Sequence, residues 1–257
     1  MPTVVLGDAR VVFDELGAGE PILLLHGFPA TRRLWSQIAP RLAEAGHRVV
    51  APDLIGYGES EPAAGVGTGM GNQARWMLEL LDRLGIQRTT VAAHDVGTAA
   101  AQLMLVRAPE RIRALALMDG VYGGEWAMEA VASIQRWEAG HAARLATVLA
   151  RRLGKEMREI VAAYEGEEGG RRLIRAAQDL DPRDTAGILG ALKMRQVPAL
   201  VLWGNHDPFL PVEKVARPLA DLLGADLLVF EAGHFLPLDA PESVIAALRT
   251  FLARAGE

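Results

Sequence analysis

The chain has 257 residues, of which 50% are apolar, enough to bury one sizeable core. The formal net charge is −5 and the basic residues are scattered, so the composition indicates neither a nucleic-acid-binding surface nor attraction to an anionic membrane. Zero cysteines exclude disulfides, cysteine-ligated metal sites and a thiol nucleophile. The first residues show no basic segment followed by an apolar one, so we expect a cytoplasmic protein without a signal peptide or membrane span.

Strand and helix patterns alternate along most of the chain. Strands are predicted at about 3–6, 10–15, 21–25, 47–52, 88–93, 113–118, 197–203 and 225–230. Helices are predicted near 34–45, 70–84, 97–108, 212–222 and 241–254. This alternation predicts an α/β fold with a mostly parallel, eight-stranded sheet flanked by helices.

The pattern changes between the sixth and seventh predicted strands. Residues 123–193 have an almost entirely helical pattern, interrupted by glycines and by Asp181-Pro182. A segment of this length is implausible as a loop inside a compact domain. We therefore expect a core formed by residues 1–120 and 194–257, with a helical cap at 121–193 inserted over the site.

The segment Ala-His-Asp-Val-Gly at 93–97 connects an apolar strand to a helix. A sharp turn of this kind pushes its central residue, Asp95, towards positive φ. It also needs small neighbours two positions away, which Ala93 and Gly97 provide. This is the layout of a nucleophile elbow. A helix N-cap is the alternative interpretation of Asp95 when the segment is considered alone.

Three other predicted strands end in polar turns. The strand at 21–25 leads into His-Gly-Phe-Pro at 26–29, which includes Phe28. The last two predicted strands lead to Asp207 and to a Gly-His pair that ends at His234. With Asp95, four elements place polar groups at the carboxyl ends of strands. This combination favours an active site over a purely structural role.

These motifs resemble the α/β-hydrolase fold superfamily, in particular its branch with Asp in place of Ser as nucleophile, which includes epoxide hydrolases and haloalkane dehalogenases. The resemblance implies Asp95 as nucleophile, Asp207 as acid and His234 as base, in the chain order of that fold. It also implies an oxyanion hole formed by the backbone N–H groups of Phe28 and Val96. The cap of the family occurs where the helical insertion is predicted.

A second position for the acid stays open. Asp119 ends the sixth predicted strand, and some haloalkane dehalogenases resemble each other in placing the acid there. We favour Asp207 and keep Asp119 as the alternative. His206, beside Asp207, is interpreted as a surface residue, and His26 and His94 as hydrogen-bonded supports of their turns.

A carboxylate nucleophile restricts the chemistry. Asp95 should be ionised at pH 7, so its attack needs no general base. Attack on an sp³ carbon forms an ester, whereas attack on an ordinary ester would give a reactive anhydride, which disfavours esterase activity. In a second step, His234 would remove a proton from water while Asp207 orients the imidazole. The hydroxide would then hydrolyse the ester, with the two amides stabilising the developing charge.

The leaving group distinguishes two activities. An epoxide opens to an alkoxide that needs a proton donor, and known epoxide hydrolases of this fold use paired cap tyrosines, so Tyr122 and Tyr164 are candidates. A halide needs only N–H donors, which Trp126 can provide. Many haloalkane dehalogenases have Trp, and haloacetate dehalogenases have Arg, at the position that Val96 occupies here. This difference weakens the interpretation as a dehalogenase. We predict a hydrolase for a small, largely apolar epoxide, with dehalogenation as the alternative.

The predicted mechanism requires no cofactor and no metal, and the sequence contains no dinucleotide fingerprint or P-loop in a suitable context. The expected partners are a small-molecule substrate and water, without nucleic acid or membrane. The sequence carries no signal for a particular oligomeric state. A hypothesis of another class is a ligand-binding protein on a hydrolase scaffold. The complete set of Asp95, Asp207 and His234 disfavours it, because a receptor has no need of every member of a two-step mechanism.

Overall fold

The computed structural model describes residues 1–138, 140–141 and 154–255. Its strands are β1 (Thr3–Leu6), β2 (Ala9–Leu16), β3 (Glu20–Leu25), β4 (His47–Pro52), β5 (Glu61–Pro62), β6 (Thr89–His94), β7 (Ile112–Met118), β8 (Ala199–Gly204) and β9 (Asp226–Phe230). They form one sheet in the order β1-β2-β4-β3-β6-β7-β8-β9, with the short β5 paired to β2 outside this path. The pairs from β4 to β9 are parallel, and those of β2 are antiparallel.

The helices of the described residues are α1 (Ile38–Glu44), α2 (Met70–Arg83), α3 (Gly97–Arg107), α4 (Met128–Ile134), α5 (Gly154–Val161), α6 (Gly166–Gln178), α7 (Arg183–Ala186), α8 (Leu189–Lys193), α9 (Arg217–Leu223), α10 (Leu236–Asp239) and α11 (Pro241–Ala255). Short 3-10 turns occur at Arg32–Trp35, Pro109–Arg111 and Ala162–Tyr164, and a π turn at Val212–Ala216. None of the helices in these ranges is both long and apolar enough to cross a membrane.

The core lies on both faces of the central strands. β6 is buried along its whole length, and the apolar run Ile22–Leu25 of β3 is also buried, because helices cover the sheet on both sides. α2 packs an apolar stripe inwards that includes Trp76 and Leu80, spaced as on one face of a helix. α3 is buried on nearly every side up to Leu105, which its run of alanines permits. The predicted α/β fold is therefore confirmed.

Two predicted helices differ in detail from the structure. The predicted helix at 34–45 divides into a 3-10 turn and α1, and the one at 212–222 divides into the π turn and α9. Pro40 and Pro218 lie close to these divisions and lack the N–H that a continuous α-helix would need there. The two-residue strand β5 was not predicted, because a pair of residues has no readable periodicity.

Between β7 and β8 the described residues form helices α4 to α8. α4 packs on α6, α5 contacts the turn at Arg32–Trp35, and α7 and α8 contact α3. Positions 139 and 142–153 of the predicted cap lie outside the described residues. Of the helices on either side of that interval, α5 contacts the turn that follows β3. The boundaries of the cap at 121 and 193 stay a prediction.

Candidate active site

Asp95 lies in the sharp turn between β6 and α3, with a φ of 51°. This left-handed backbone brings neighbouring segments very close. A Cβ atom on Gly97 would overlap the carbonyl oxygen of His26, and one on Gly27 would overlap the Asp95 carboxylate. Small residues at these two positions therefore allow the turn to form against the loop that follows β3.

Backbone amides surround the carboxylate of Asp95. Its Oδ1 accepts a hydrogen bond from the Phe28 N–H at 2.8 Å. The Val96 N–H also lies close enough to the carboxylate to lower its pKa. Both amides that the sequence proposes for the oxyanion hole thus meet the same side chain. The side chain of Asp95 is 10% exposed, so these contacts are largely shielded from solvent.

His234 lies between two carboxylates. Its Nδ1 is 2.8 Å from Asp207 Oδ2, and its Nε2 is 3.5 Å from Asp95 Oδ2. The other oxygen of Asp207 accepts the amides of Phe209, at 2.8 Å, and Leu210, at 3.1 Å. These amides fix the carboxylate that faces Nδ1. The structure therefore brings Asp95, His234 and Asp207 into one continuous contact.

The charges of this cluster shift its pKa values. Burial lowers the pKa of His234, but its hydrogen bonds to Asp207 and Asp95 and their negative charges outweigh burial and raise that pKa to about 10. Burial raises the pKa of Asp95, but hydrogen bonding to His234, the nearby positive charge and the Val96 N–H outweigh it and lower that pKa. The free site therefore favours a protonated imidazole beside an ionised Asp95.

Asp119 occupies a different position from Asp207. It follows β7 with a φ of 39°, and its Oδ1 accepts the Gly204 N–H at 2.8 Å. Its Oδ2 is buried without a hydrogen-bond partner among the residues that the structure describes. Burial raises the pKa of Asp119 well above its ordinary value. The carboxyl that contacts His234 Nδ1 is that of Asp207.

His26 and His94 support the loops on either side of the site. His26 Nε2 accepts the Leu54 N–H at 2.9 Å while Nδ1 lies 2.9 Å from the Gly27 carbonyl oxygen. His94 Nε2 is 2.7 Å from the carbonyl oxygen of His234. Burial is the largest cause that lowers the pKa of each ring to about 4, so both are neutral at pH 7. His206 is exposed and contacts Glu231.

The side chains proposed for the leaving group differ in their surroundings. Trp126 Nε1 donates to Thr185 Oγ1 at 2.9 Å and to the Gly123 carbonyl oxygen at 3.2 Å, so its N–H is already used within the protein. Tyr164 is buried, and its hydroxyl is 3.5 Å from the Ala30 carbonyl oxygen. Tyr122 is half-buried, and its backbone pairs with that of Glu125.

Family membership follows from the whole sequence. The model of the alpha/beta hydrolase fold family matches residues 20–241, a range that contains the Asp95 turn, the Phe28 and Val96 amides and the His234 loop. The chain belongs to this family. The sheet order and the parallel strands described above are consistent with the assignment.

This α/β hydrolase is similar to several proteins whose names indicate an activity. A provisionally named non-heme haloperoxidase from Mycobacterium phage D29 is 32% identical, over 93% of this chain and 90% of the relative. A haloalkane dehalogenase from Mesorhizobium japonicum is 35% identical over 52% of this chain and 40% of its own length. The solved structure of a provisionally named epoxide hydrolase from Pseudomonas aeruginosa is 26% identical, with a TM-score of 0.76, and the match covers 99% of this chain and 95% of that one.

Two residues near the site of this hydrolase were not predicted from the sequence. Tyr57 lies between β4 and β5, outside the motifs described above, and its hydroxyl is buried. Phe209 lies beside Asp207 and packs edge-on against His234, with ring centroids 5.2 Å apart. It also lines a cleft of about 490 Å³, as does Trp126. The Gly-Tyr-Gly sequence around Tyr57 was the available signal, but it does not give the direction of the ring.

In the part of the chain that the structure describes, no group of three or more His, Asp or Glu side chains could together hold a metal ion.

Proposed function

We propose that this hydrolase opens a small, largely apolar epoxide through an ester formed on Asp95. The observation that carries the proposal is the surroundings of that carboxylate. One oxygen accepts the Phe28 amide at 2.8 Å, and the other faces His234 Nε2 at 3.5 Å. A carboxylate placed in this way is a nucleophile for an sp³ carbon, with a base on one side and an oxyanion hole on the other.

The first step is the attack of ionised Asp95 on a carbon of the epoxide ring. A bond forms between the carboxylate oxygen and that carbon, the carbon–oxygen bond of the ring breaks, and its electron pair goes to the leaving oxygen. The lowered pKa of Asp95 keeps the nucleophile ionised at neutral pH. No general base is needed for this step.

The second step depends on a change of charge around His234. In the free site, two carboxylates hold its pKa at about 10, too high for a general base at neutral pH. Formation of the ester removes the charge of Asp95, so the pKa of the imidazole falls and it can become neutral. His234 then takes a proton from water, and the hydroxide attacks the ester. The Phe28 and Val96 amides receive the charge that develops on the Asp95 oxygen.

The donors around the site favour an epoxide over a halide. The N–H of Trp126 is used by Thr185 and Gly123, and Val96 has no donor in its side chain. Tyr164, in contrast, presents a buried hydroxyl whose contact to Ala30 is long. Burial raises the pKa of Tyr164, so it stays protonated and able to donate at neutral pH.

Carbon–halogen hydrolysis is the second candidate function. It is favoured by the similarity to the Mesorhizobium japonicum haloalkane dehalogenase, which extends over 52% of this chain. The same Asp95 ester and the same base would serve that reaction. In both cases the helices between β7 and β8 would act as the cap, and the partners would be a small-molecule substrate and water, without a cofactor.

The test is intact-mass spectrometry of a His234→Gln variant after incubation with small epoxides and bromoalkanes of distinct masses. Removal of the base should spare formation of the ester and block its hydrolysis. A mass gain equal to a whole epoxide would support the proposal. A gain equal to a bromoalkane less hydrogen bromide would support the second candidate.

Two variants serve as controls. His206→Gln makes the same substitution at an exposed histidine, so we expect full turnover and no adduct. His234→Gln combined with Asp95→Asn lacks the nucleophile and should also give no adduct. An adduct that persists in this double variant, or peptide mapping to another residue, would contradict the role of Asp95.

A further inference from the structure

The hydroxyl of Tyr57 is a buried polar group without a hydrogen-bond partner in the described part of the chain. Only 1% of the residue is exposed, so solvent does not satisfy the group. Leaving a buried donor unpaired destabilises a folded protein, because its hydrogen bond to water is lost without replacement. An orphaned hydroxyl in a well-anchored loop therefore suggests a partner that arrives from outside the chain.

The loop that holds Tyr57 is firmly anchored. Asp53, at its start, accepts the Arg32 N–H at 2.8 Å and the Glu59 N–H at 2.9 Å, and it forms a buried ion pair with the Arg32 guanidinium. Gly58 has a φ of 52°, and a Cβ there would overlap the Asp53 carboxylate. The tight turn thus fixes the direction of the tyrosine that precedes Gly58.

The ring of Tyr57 packs on the loop that forms the oxyanion hole. It meets the ring of His26 at a centroid distance of 5.3 Å and that of Phe28 at 6.5 Å, both edge-on. The Phe28 amide in turn contacts Asp95. Burial raises the pKa of Tyr57, and the nearby Tyr164 and Asp95 raise it further, so the phenol is protonated at neutral pH.

We propose that the Tyr57 hydroxyl hydrogen-bonds to the leaving oxygen of the substrate and protonates it as Asp95 attacks. The inference rests on the proposed function and adds a catalytic residue from the core to the Tyr164 hydroxyl from the α5–α6 region. The orphaned hydroxyl, the anchored loop and the contact with the oxyanion-hole loop support it.

The proton balance closes over the two steps. In the first, the electron pair of the broken carbon–oxygen bond takes the phenolic proton, which leaves an Asp95 ester, an alcohol and a Tyr57 phenolate. The proton held by His234 in the free site then restores the phenol and leaves a neutral imidazole. In the second step, His234 takes a proton from water and the ester is hydrolysed. The sum is epoxide plus water giving a diol, with every side chain returned to its initial state.

The test compares ester formation in two proteins, His234→Gln and His234→Gln combined with Tyr57→Phe. Mass spectrometry follows the rate at which an epoxide that labels the first protein adds to Asp95. We expect the second protein to form the ester at least about 10²-fold more slowly, which is the typical effect of losing a general acid. Thr250→Val, which removes a hydroxyl from an exposed position of α11, is the control and should leave the rate unchanged.

Thermal unfolding is a second measurement, and it separates a catalytic role of the Tyr57 hydroxyl from a structural one. Tyr57→Phe removes only the unpartnered hydroxyl, so we expect a Tm equal to or above that of the parent. Equal rates of ester formation with and without the hydroxyl would overturn the inference while leaving the Asp95 ester in place. A lower Tm for Tyr57→Phe would also overturn it, because the hydroxyl would then have a structural partner. No ester in the His234→Gln protein would overturn the proposed function itself, and with it this inference.

Discussion

Each nitrogen of the His234 ring meets a carboxylate with a different environment. Asp207 is held by two backbone amides and faces Nδ1, so it is suited to orient the ring. Asp95 lies beneath the Phe28 amide and faces Nε2, so it is suited to react. Asp119 is a third buried carboxyl nearby, and its contact is with a backbone amide of β8. Substitutions that keep the shape of these side chains can separate the three roles.

We expect Asp207→Asn to lower kcat by about 10³-fold or more, because an amide facing Nδ1 favours the wrong tautomer of the ring. Asp119→Asn should have little effect on kcat, since the amide oxygen can still accept the Gly204 N–H. Steady-state kinetics with the substrate found by trapping would measure both. A large loss in Asp119→Asn together with little loss in Asp207→Asn would assign the acid to Asp119 instead.

The stability of the protein should depend on pH through His234. Its pKa is raised from the ordinary value of 6.5 to about 10 in the folded state, so folding favours the protonated ring. The resulting stabilisation is fully present below about pH 6.5 and is lost as the pH rises through about 10.

We expect Asp95→Asn to reduce this dependence, because it removes one of the two charges that raise the pKa. Urea unfolding between pH 6.5 and 10, together with NMR titration of the ring, would measure the change. His206→Gln is the matched control, since that ring is exposed. An identical pH dependence in the parent and in Asp95→Asn would show that Asp95 does not hold the ring in its protonated form.

At the scale of elements, two carboxylates attach the helices between β7 and β8 to the core. Asp179, at the end of α6, accepts both the N–H and the hydroxyl of Thr68, each at 2.6 Å. Asp184, in α7, accepts the Met70 N–H at 2.9 Å and so caps the first turn of α2. Arg172 adds a contact from α6 to the Gly58 carbonyl oxygen. The helices and the loop before α2 are therefore expected to open together.

We expect Asp179→Ala to destabilise the protein by about 1–3 kcal/mol, because it leaves two donors of Thr68 unpaired. Hydrogen exchange should become faster at the Thr68 amide and in the residues around it. Glu167→Ala is the control on the same helix, because its ion pair with Arg171 is exposed and contributes little. Unchanged exchange in this loop would mean that α6 is held by its apolar face alone.

At the scale of the whole molecule, the central strands are buried along most of their length. We expect Leu24→Ala, in β3, to cost about 2–5 kcal/mol, because this fully buried side chain would leave a cavity. Val5→Ala, at a position that is 68% exposed, should change stability by less than about 0.5 kcal/mol. Urea unfolding measures both. Similar losses in the two variants would contradict a core centred on β3.

The sheet and the convergence of the site were predictable because their signals are local. Apolar runs of the right length marked β3, β6, β7 and β8, and a parallel arrangement brings the carboxyl ends of such strands to one edge. Asp95, Asp207 and His234 follow the parallel strands β6, β8 and β9, so their placement at one edge of the sheet followed from the strand order. Their roles in the reaction stay a proposal.

The hydrogen-bond donors around the site and the choice of the acid depended on contacts between distant segments. Trp126 looked like a free donor, but it pairs with Thr185, and no local pattern links these two positions. The choice between Asp119 and Asp207 depended on which carboxyl reaches Nδ1, which is a matter of packing. Tyr57 was missed for the same reason, since the direction of its ring is set by an ion pair between two loops.

The edge-on contact between Phe209 and His234 offers a position for a fluorescent reporter of the protonation of His234. Phe209 is 44% exposed and its ring centroid is 5.2 Å from that of the imidazole, so an indole in its place would contact a ring that changes charge in the proposed cycle. Protonated imidazole quenches the fluorescence of a neighbouring indole, whereas neutral imidazole does so weakly. A Phe209→Trp protein would therefore brighten when His234 loses its proton, and the emission would follow the base through each turnover.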